Sequence, residues 1–130
     1  MYDGPKPSVV LFVNDVIRVS AFYRDLAGMR VEFADEDHVV LALDGFELVV
    51  HRLFGEPEAA NNDEGRVVIR DDSYSKLCLP VNDIAAARGT AEKLGGAIKP
   101  HGFEWSARGF RACDGHDPEG NVIQVRQADS

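Results

Sequence analysis

Chemistry in this chain has to come from a few polar side chains that share strand faces. In the run Phe46 to His51, Glu47 and His51 stand four residues apart, so a strand puts both on one face with Val49 between them. Together with Gln124 they are the side-chain types that ligate a divalent cation. In the last apolar run, Val122, Gln124 and Arg126 alternate with Ile123 and Val125. The same period separates Lys76, Cys78 and Pro80 from Leu77, Leu79 and Val81, and Ser8, Val10 and Phe12 from Val9, Leu11 and Val13. If the uniformly apolar sets pack beneath helices, the polar sets face a cavity. The segment His101 to Gly109 adds the only Trp, Trp105, beside Phe103 and Arg108. Its aromatics can stack on a planar ligand while Arg108 fixes an anion, or Trp105 can simply anchor the loop on the core. His101 and His116 read as loop histidines, and Cys78 as a small buried hydrophobe with nothing nearby to make its thiol a nucleophile. No Ser/His/Asp triad, phosphate loop or dinucleotide fingerprint is present.

These faces need strands, and the strands need helices to cover them. Asp15 and Asp83 each follow an alternating apolar run and precede a helical apolar stripe, which marks both as N-caps. The first stripe is Val19, Phe22, Tyr23 and Leu26, stopped by Gly28. The second is Ile84, Ala87, Ala91 and Leu94, stopped by Gly95 and Gly96. After the first helix, strands are expected at about 30–35, 38–43 and 46–54, with Asp44-Gly45 as a hairpin turn. After the second they are expected at about 97–104, 109–113 and 121–127. The two series run in parallel. Val13-Asn14-Asp15 recurs 68 residues on as Val81-Asn82-Asp83, and the same offset pairs Leu11 with Leu79, Leu26 with Leu94 and Gly28 with Gly96. A gapless match through strand end, helix start and helix stop points to an internal repeat. The reading is one domain over 1–130, made of two βαβββ modules at about 6–56 and 74–128. A polar linker at about 55–73 joins them, with Val67-Val68-Ile69 as a short extended piece.

Composition sets the class. With 45% hydrophobic and 28% charged residues, 130 residues can bury an ordinary globular core. The net charge of −8, without any basic run, argues against nucleic acid as a partner. Two cysteines make no disulfide framework. No leader pattern opens the sequence and no apolar run approaches ~20 residues, so the expectation is a cytoplasmic protein with no membrane partner.

Three signatures resemble the vicinal-oxygen-chelate superfamily, which includes glyoxalase I, bleomycin-resistance proteins and extradiol dioxygenases. Ser8 to Asp15, followed by Ala21-Phe22-Tyr23-Arg24-Asp25-Leu26-Ala27-Gly28, is similar to the family's opening strand and FYxxxLG helix. Lys76 to Asp83 is similar to the start of its second module, and Asp117 to Val125 to its closing DPxGNxIEL segment. The resemblance implies an α+β fold in which two βαβββ modules form a concave, partly open mixed sheet with helices outside. It also implies a homodimer. In the family's enzymes four side chains bind a divalent metal, and motif matching puts those positions on Ser8, Glu47, Lys76 and Gln124. Ser8 is a weak ligand and a protonated lysine offers no lone pair.

Two readings of Lys76 stay open: a hydrogen-bonded pair with Glu47 supported by Ser8 and Gln124, or a side chain extended into solvent at the cavity mouth. The expected function is small-molecule binding of the bleomycin-resistance type, without a cofactor, sequestering or carrying an aromatic or cationic compound. The candidate ligand-binding residues are Ser8, Val10, Phe12, Glu47, Val49, His51, Lys76, Cys78, Trp105, Arg108 and Gln124. One alternative is a metal-dependent lyase, isomerase or dioxygenase that uses Glu47, His51 and Gln124. The other is an interaction domain with a self-filled cavity.

Overall fold

Asp15 and Asp83 both cap helices in the computed structural model, which describes residues 4–55 and 61–129. The Asp15 carboxylate accepts from the Arg18 N–H and that of Asp83 from the Ala86 N–H, at 3.0 Å each. Helix α1 (Val16–Ala27) ends where Gly28 turns left-handed at φ 62°, a conformation that costs a residue with a Cβ. Helix α2 spans Ile84–Lys93.

Around α1 lie β1 (Ser8–Val13), β2 (Arg30–Ala34), β3 (His38–Leu43) and β4 (Phe46–Arg52), hydrogen-bonded in the order β1-β4-β3-β2. β1 runs parallel to β4, so Ser8 stands beside Glu47, Val10 beside Val49 and Phe12 beside His51. Around α2 lie β5 (Leu77–Pro80), β6 (Ala97–Ile98), β7 (Trp105–Ser106), β8 (Phe110–His116) and β9 (Val122–Ala128). Their order is β5-β9-β8-β6, with β7 also on β8. The strand order β1-β4 in one sheet has its counterpart in the parallel pair β5-β9 of the other. Among the described residues no strand of one sheet pairs with a strand of the other. None of the described helices is long and apolar enough to cross a membrane.

The helices cover one face of each sheet, as the alternation required. Val19, Phe22, Tyr23 and Leu26 of α1 join Leu41, Leu48 and Val50, while Ile84, Ala87 and Ala91 of α2 join Leu79, Ile123 and Val125 in one buried cluster. Each large side chain removed from water in this way contributes about 1.5–3 kcal/mol. Phe22 and Tyr23 meet edge to face at 5.2 Å.

Polar contacts from the Asp117-to-Asn121 turn then bind the second half to the first. Asp117 is fully buried and accepts from the Tyr23 hydroxyl at 2.8 Å. The Glu119 carboxylate accepts from the backbone N–H groups of Asn14 at 2.8 Å and Asp15 at 2.7 Å, at the positive end of α1.

Three elements of the second half differ from the sequence expectation. The strand expected at 97–104 is only Ala97–Ile98. Pro100 has no N–H for a ladder, and its carbonyl instead accepts from Phe103 at 2.9 Å to close a 3-10 turn over His101–Phe103. The next strand reaches His116 rather than 113, so His116 belongs to a strand and not to a loop. Asp114 and Gly115 look like strand breakers, yet both pair with β9. Gly115 is needed there because a Cβ would collide with the Ala97 carbonyl of β6. Finally, Cys78 is only half-buried, and the fully buried thiol is Cys113. The linker's Val67 makes one bridge to Asn61, and Val68 and Ile69 remain exposed. Of the expected linker, 56–60 lie outside the described residues.

Candidate functional site

The faces turned away from the helices hold the candidate residues, and they form two groups. On the first sheet, Ser8, Val10 and Phe12 of β1 lie in register with Glu47, Val49 and His51 of β4, which lie beside Ala42, Val40 and His38 of β3. Ala42 is buried and Val40 and Val49 are half-buried, but the β1 edge of this face is open: Val10 is 48% exposed and Phe12 50%, values far from those of a finished core. Across this face runs a row of rings. Phe33 of β2 lies 5.1 Å from His38, His38 lies 5.4 Å from His51, and His51 lies 5.6 Å from Phe12 and 5.1 Å from Phe54. Glu47, half-buried on the same face, has no side-chain hydrogen bond or ion pair among the described residues.

On the second sheet the polar groups are already engaged with one another. The Lys76 ammonium donates to Asp114 Oδ1 at 3.2 Å, so its partner is Asp114 of β8 rather than Glu47. The same oxygen accepts from Gln124 Nε2 at 3.1 Å. Gln124 Oε1 in turn accepts from Arg126 Nε at 2.7 Å, and Gln124 is buried beneath these contacts. The Arg126 guanidinium lies 4.6 Å from the centre of the Phe110 ring and that of Arg108 5.2 Å, with Trp105 at 6.5 Å. Trp105 therefore stands on a short strand at this face and not on a free loop. A cleft of about 730 Å3 opens between this sheet and the linker, lined among others by Ser73, Tyr74, Lys76, Lys99, Asp114 and His116. Neither Ser8, Glu47, His51 nor Cys78 reaches it.

Alternation and motif matching placed the candidates on the faces turned away from the helices, but did not include Asp114, His38, Phe33, Phe110 and Arg126 among their neighbours. The period-2 rule applied to 38–43 and 110–116 would have placed His38, Phe110 and Asp114. Their partners depend on register, which no local pattern states.

Two helices on two mixed sheets of four and five strands make the α+β glyoxalase/bleomycin-resistance-like fold, as the motifs implied. Solved structures share it along nearly the whole chain. An integron cassette protein from Vibrio cholerae is 22% identical and matches with a TM-score of 0.63 over 99% of this chain and 98% of its own. A glyoxalase/bleomycin resistance protein/dioxygenase family enzyme from Burkholderia phytofirmans PsJN is 15% identical, with a TM-score of 0.67 over 94% of this chain and 97% of its own. The fosfomycin resistance protein FosX of Listeria monocytogenes, complexed with Mn(II) and sulfate, is 13% identical, with a TM-score of 0.64 over 99% of this chain and 93% of its own. No family model and no curated protein matches the sequence.

A metal at the family's position does not fit the residues found there. Ser8 offers an exposed hydroxyl, the Lys76 ammonium is held by Asp114, and the Gln124 carbonyl oxygen is taken by Arg126. Glu47 is the only carboxylate of the four. Of the alternative set, Glu47 and His51 stand on β4 and Gln124 on β9 of the other sheet. Among the described residues, no group of three or more His, Cys, Asp and Glu side chains is arranged to hold an ion.

Proposed function

We propose that this chain binds an organic cation with an apolar, aromatic body, without a metal at the family's four-ligand position, and that it sequesters or carries that compound. The observation that supports this is Glu47: a half-buried carboxylate with no side-chain partner among the described residues, set beside Val10, Phe12 and Val49. Such a group is costly to cover unless the occupant brings a compensating charge. An apolar floor with one fixed charge is also how small-molecule pockets combine affinity with orientation. We place the closed cavity between two copies of the chain, the first-sheet face of one against the second-sheet face of the other.

The test is a thermal-shift titration with a planar cationic dye and its uncharged analogue. At a hundred times its dissociation constant, the dye should add about 2.7 kcal/mol of stability. Glu47→Gln should weaken the dye about tenfold while leaving the uncharged analogue unchanged, a loss of about 1.4 kcal/mol. Equal affinity for dye and analogue would remove the charge from the proposal. Near-stoichiometric metal in untagged protein that disappears in Glu47→Ala would overturn it.

A further inference from the structure

The far end of the first-sheet face carries a second arrangement that the cation site does not use. His51 is four residues from Glu47 along β4, about 13 Å at a strand's ~3.3 Å per residue. His38 stands directly opposite His51 on the neighbouring strand. The two rings lie nearly parallel, 15° apart, with centres 5.4 Å apart.

Their hydrogen bonds settle which nitrogen of each ring is free. His51 Nδ1 lies 2.9 Å from the Arg52 carbonyl oxygen, which can only accept, so Nδ1 carries the proton. His38 Nδ1 lies 3.1 Å from Asp35 Oδ1. That carboxylate also accepts from the backbone N–H groups of Asp37 and His38, at 2.8 and 2.9 Å. It too can only accept. In the neutral ring each therefore keeps its lone pair on Nε2. A carbonyl or carboxylate on Nδ1 with Nε2 open is how histidines are oriented when they ligate metals.

We propose that His38 and His51 form a two-imidazole site for a divalent transition ion of the borderline class, with copper(II) bound more tightly than zinc(II). Imidazole suits these ions and not magnesium or calcium, and copper(II) leads the divalent series. Metal–nitrogen bonds of about 2.0–2.1 Å require the two Nε2 atoms to come within ~4 Å of each other. Side-chain rotation achieves this without moving the strands, because directly opposed residues keep their Cα atoms ~4.5–5.5 Å apart. The neighbouring cation, Arg52, is held by Asp37 at 2.6 Å, so it does not oppose the ion. Two protein ligands leave coordination positions open to water or to a small chelating molecule.

The experiment is copper(II) titration of untagged protein, read by calorimetry and by electron paramagnetic resonance. One copper(II) per chain with hyperfine structure from two imidazole nitrogens is expected. His38→Gln and His51→Gln should each lower affinity at least tenfold, and Asp35→Asn about tenfold, as loss of an outer-shell carboxylate does. His101→Gln and His116→Gln should leave affinity unchanged. A single-nitrogen spectrum, undiminished affinity in the His38→Gln/His51→Gln double variant, or dependence on His101 or His116 would overturn the site. Zinc(II) titration of the wild-type protein followed by NMR needs no variant: the ring signals of His38 and His51 should move first, and their failure to move also overturns it. Glu47→Gln should bind copper(II) as the wild type does, so this proposal and the cation reading fail separately.

Discussion

Tyr23 links the two halves of the molecule through a buried hydrogen bond. Its hydroxyl donates to Asp117, which also accepts from the backbone N–H groups of Glu119 and Asn121 and from the Asn121 side-chain amide. Removing the hydroxyl leaves a buried carboxylate short of one donor, so Tyr23→Phe should cost about 1–3 kcal/mol in denaturant unfolding at neutral pH. Burial raises the Tyr23 pKa well above its ordinary 10.0, with the charge and hydrogen bond of Asp117 adding to the effect. Below pH 10 the folded and unfolded chains both keep the proton. Above it the unfolded chain releases the proton first, so stability falls as pH rises. Melting temperatures from pH 8 to 11 should therefore drop more steeply in the wild type than in Tyr23→Phe; parallel curves would show that Tyr23 is not the group responsible. The apolar role of Tyr23 is legible in the sequence, because it sits in a helical stripe. Its hydrogen bond is not, because the partner lies 94 residues away.

At the scale of elements, Glu104 shows how a short segment is held. Its side chain is 5% exposed and accepts from Arg88 of α2 at 2.7 Å and from Arg111 of β8 at 2.8 Å. The turn before β7 is thereby clamped to both neighbours. The Arg88 hydrogen bond first, and the Arg111 hydrogen bond after it, hold the Glu104 pKa below its ordinary 4.5. Because Arg111 is 43% exposed, solvent screens part of the interaction. Glu104→Gln should then cost about 2 kcal/mol, less than the loss of a fully buried pair. The contribution is complete above pH 4.5 and is lost as pH falls through the lowered pKa, so the variant should show a weaker acid limb between pH 5 and 3 in urea denaturation. An acid limb identical to the wild type's would assign the lost stability to other carboxylates. The helices and the first-half strands could be read from caps, stripes and period-2 runs. The 97–104 segment could not, because a glutamate in an alternating run gives no sign that two arginines distant in sequence will draw it inward.

At the scale of the molecule, the open faces decide whether the chain is finished alone. The first sheet leaves Val10, Phe12 and Phe33 half-exposed on one side while Leu41, Leu48 and Val50 on its other side are fully buried. Soluble monomers rarely leave such a continuous apolar area uncovered. A reciprocal pair would bury both first-sheet faces at once, since a twofold operator brings the same two surfaces together twice. Phe12→Asp places a charge on the edge strand of that face without disturbing the core, because the Phe12 side chain lies outside it. Light scattering should find the wild type at twice the 14.3 kDa chain mass and Phe12→Asp at the single mass, with unfolding in the variant still cooperative. If the cavity is shared between copies, the variant should lose the cationic dye together with the dimer, and raising the protein concentration should restore both in step. A Phe12→Asp protein that stays dimeric but loses the dye would place the cavity within one chain. A wild type that is monomeric at every concentration, yet binds the dye, would do the same. The pairing is thus measured separately from the ligand, and the sequence pointed to it only through the resemblance, since a strand pattern shows which residues share a face but not what covers that face.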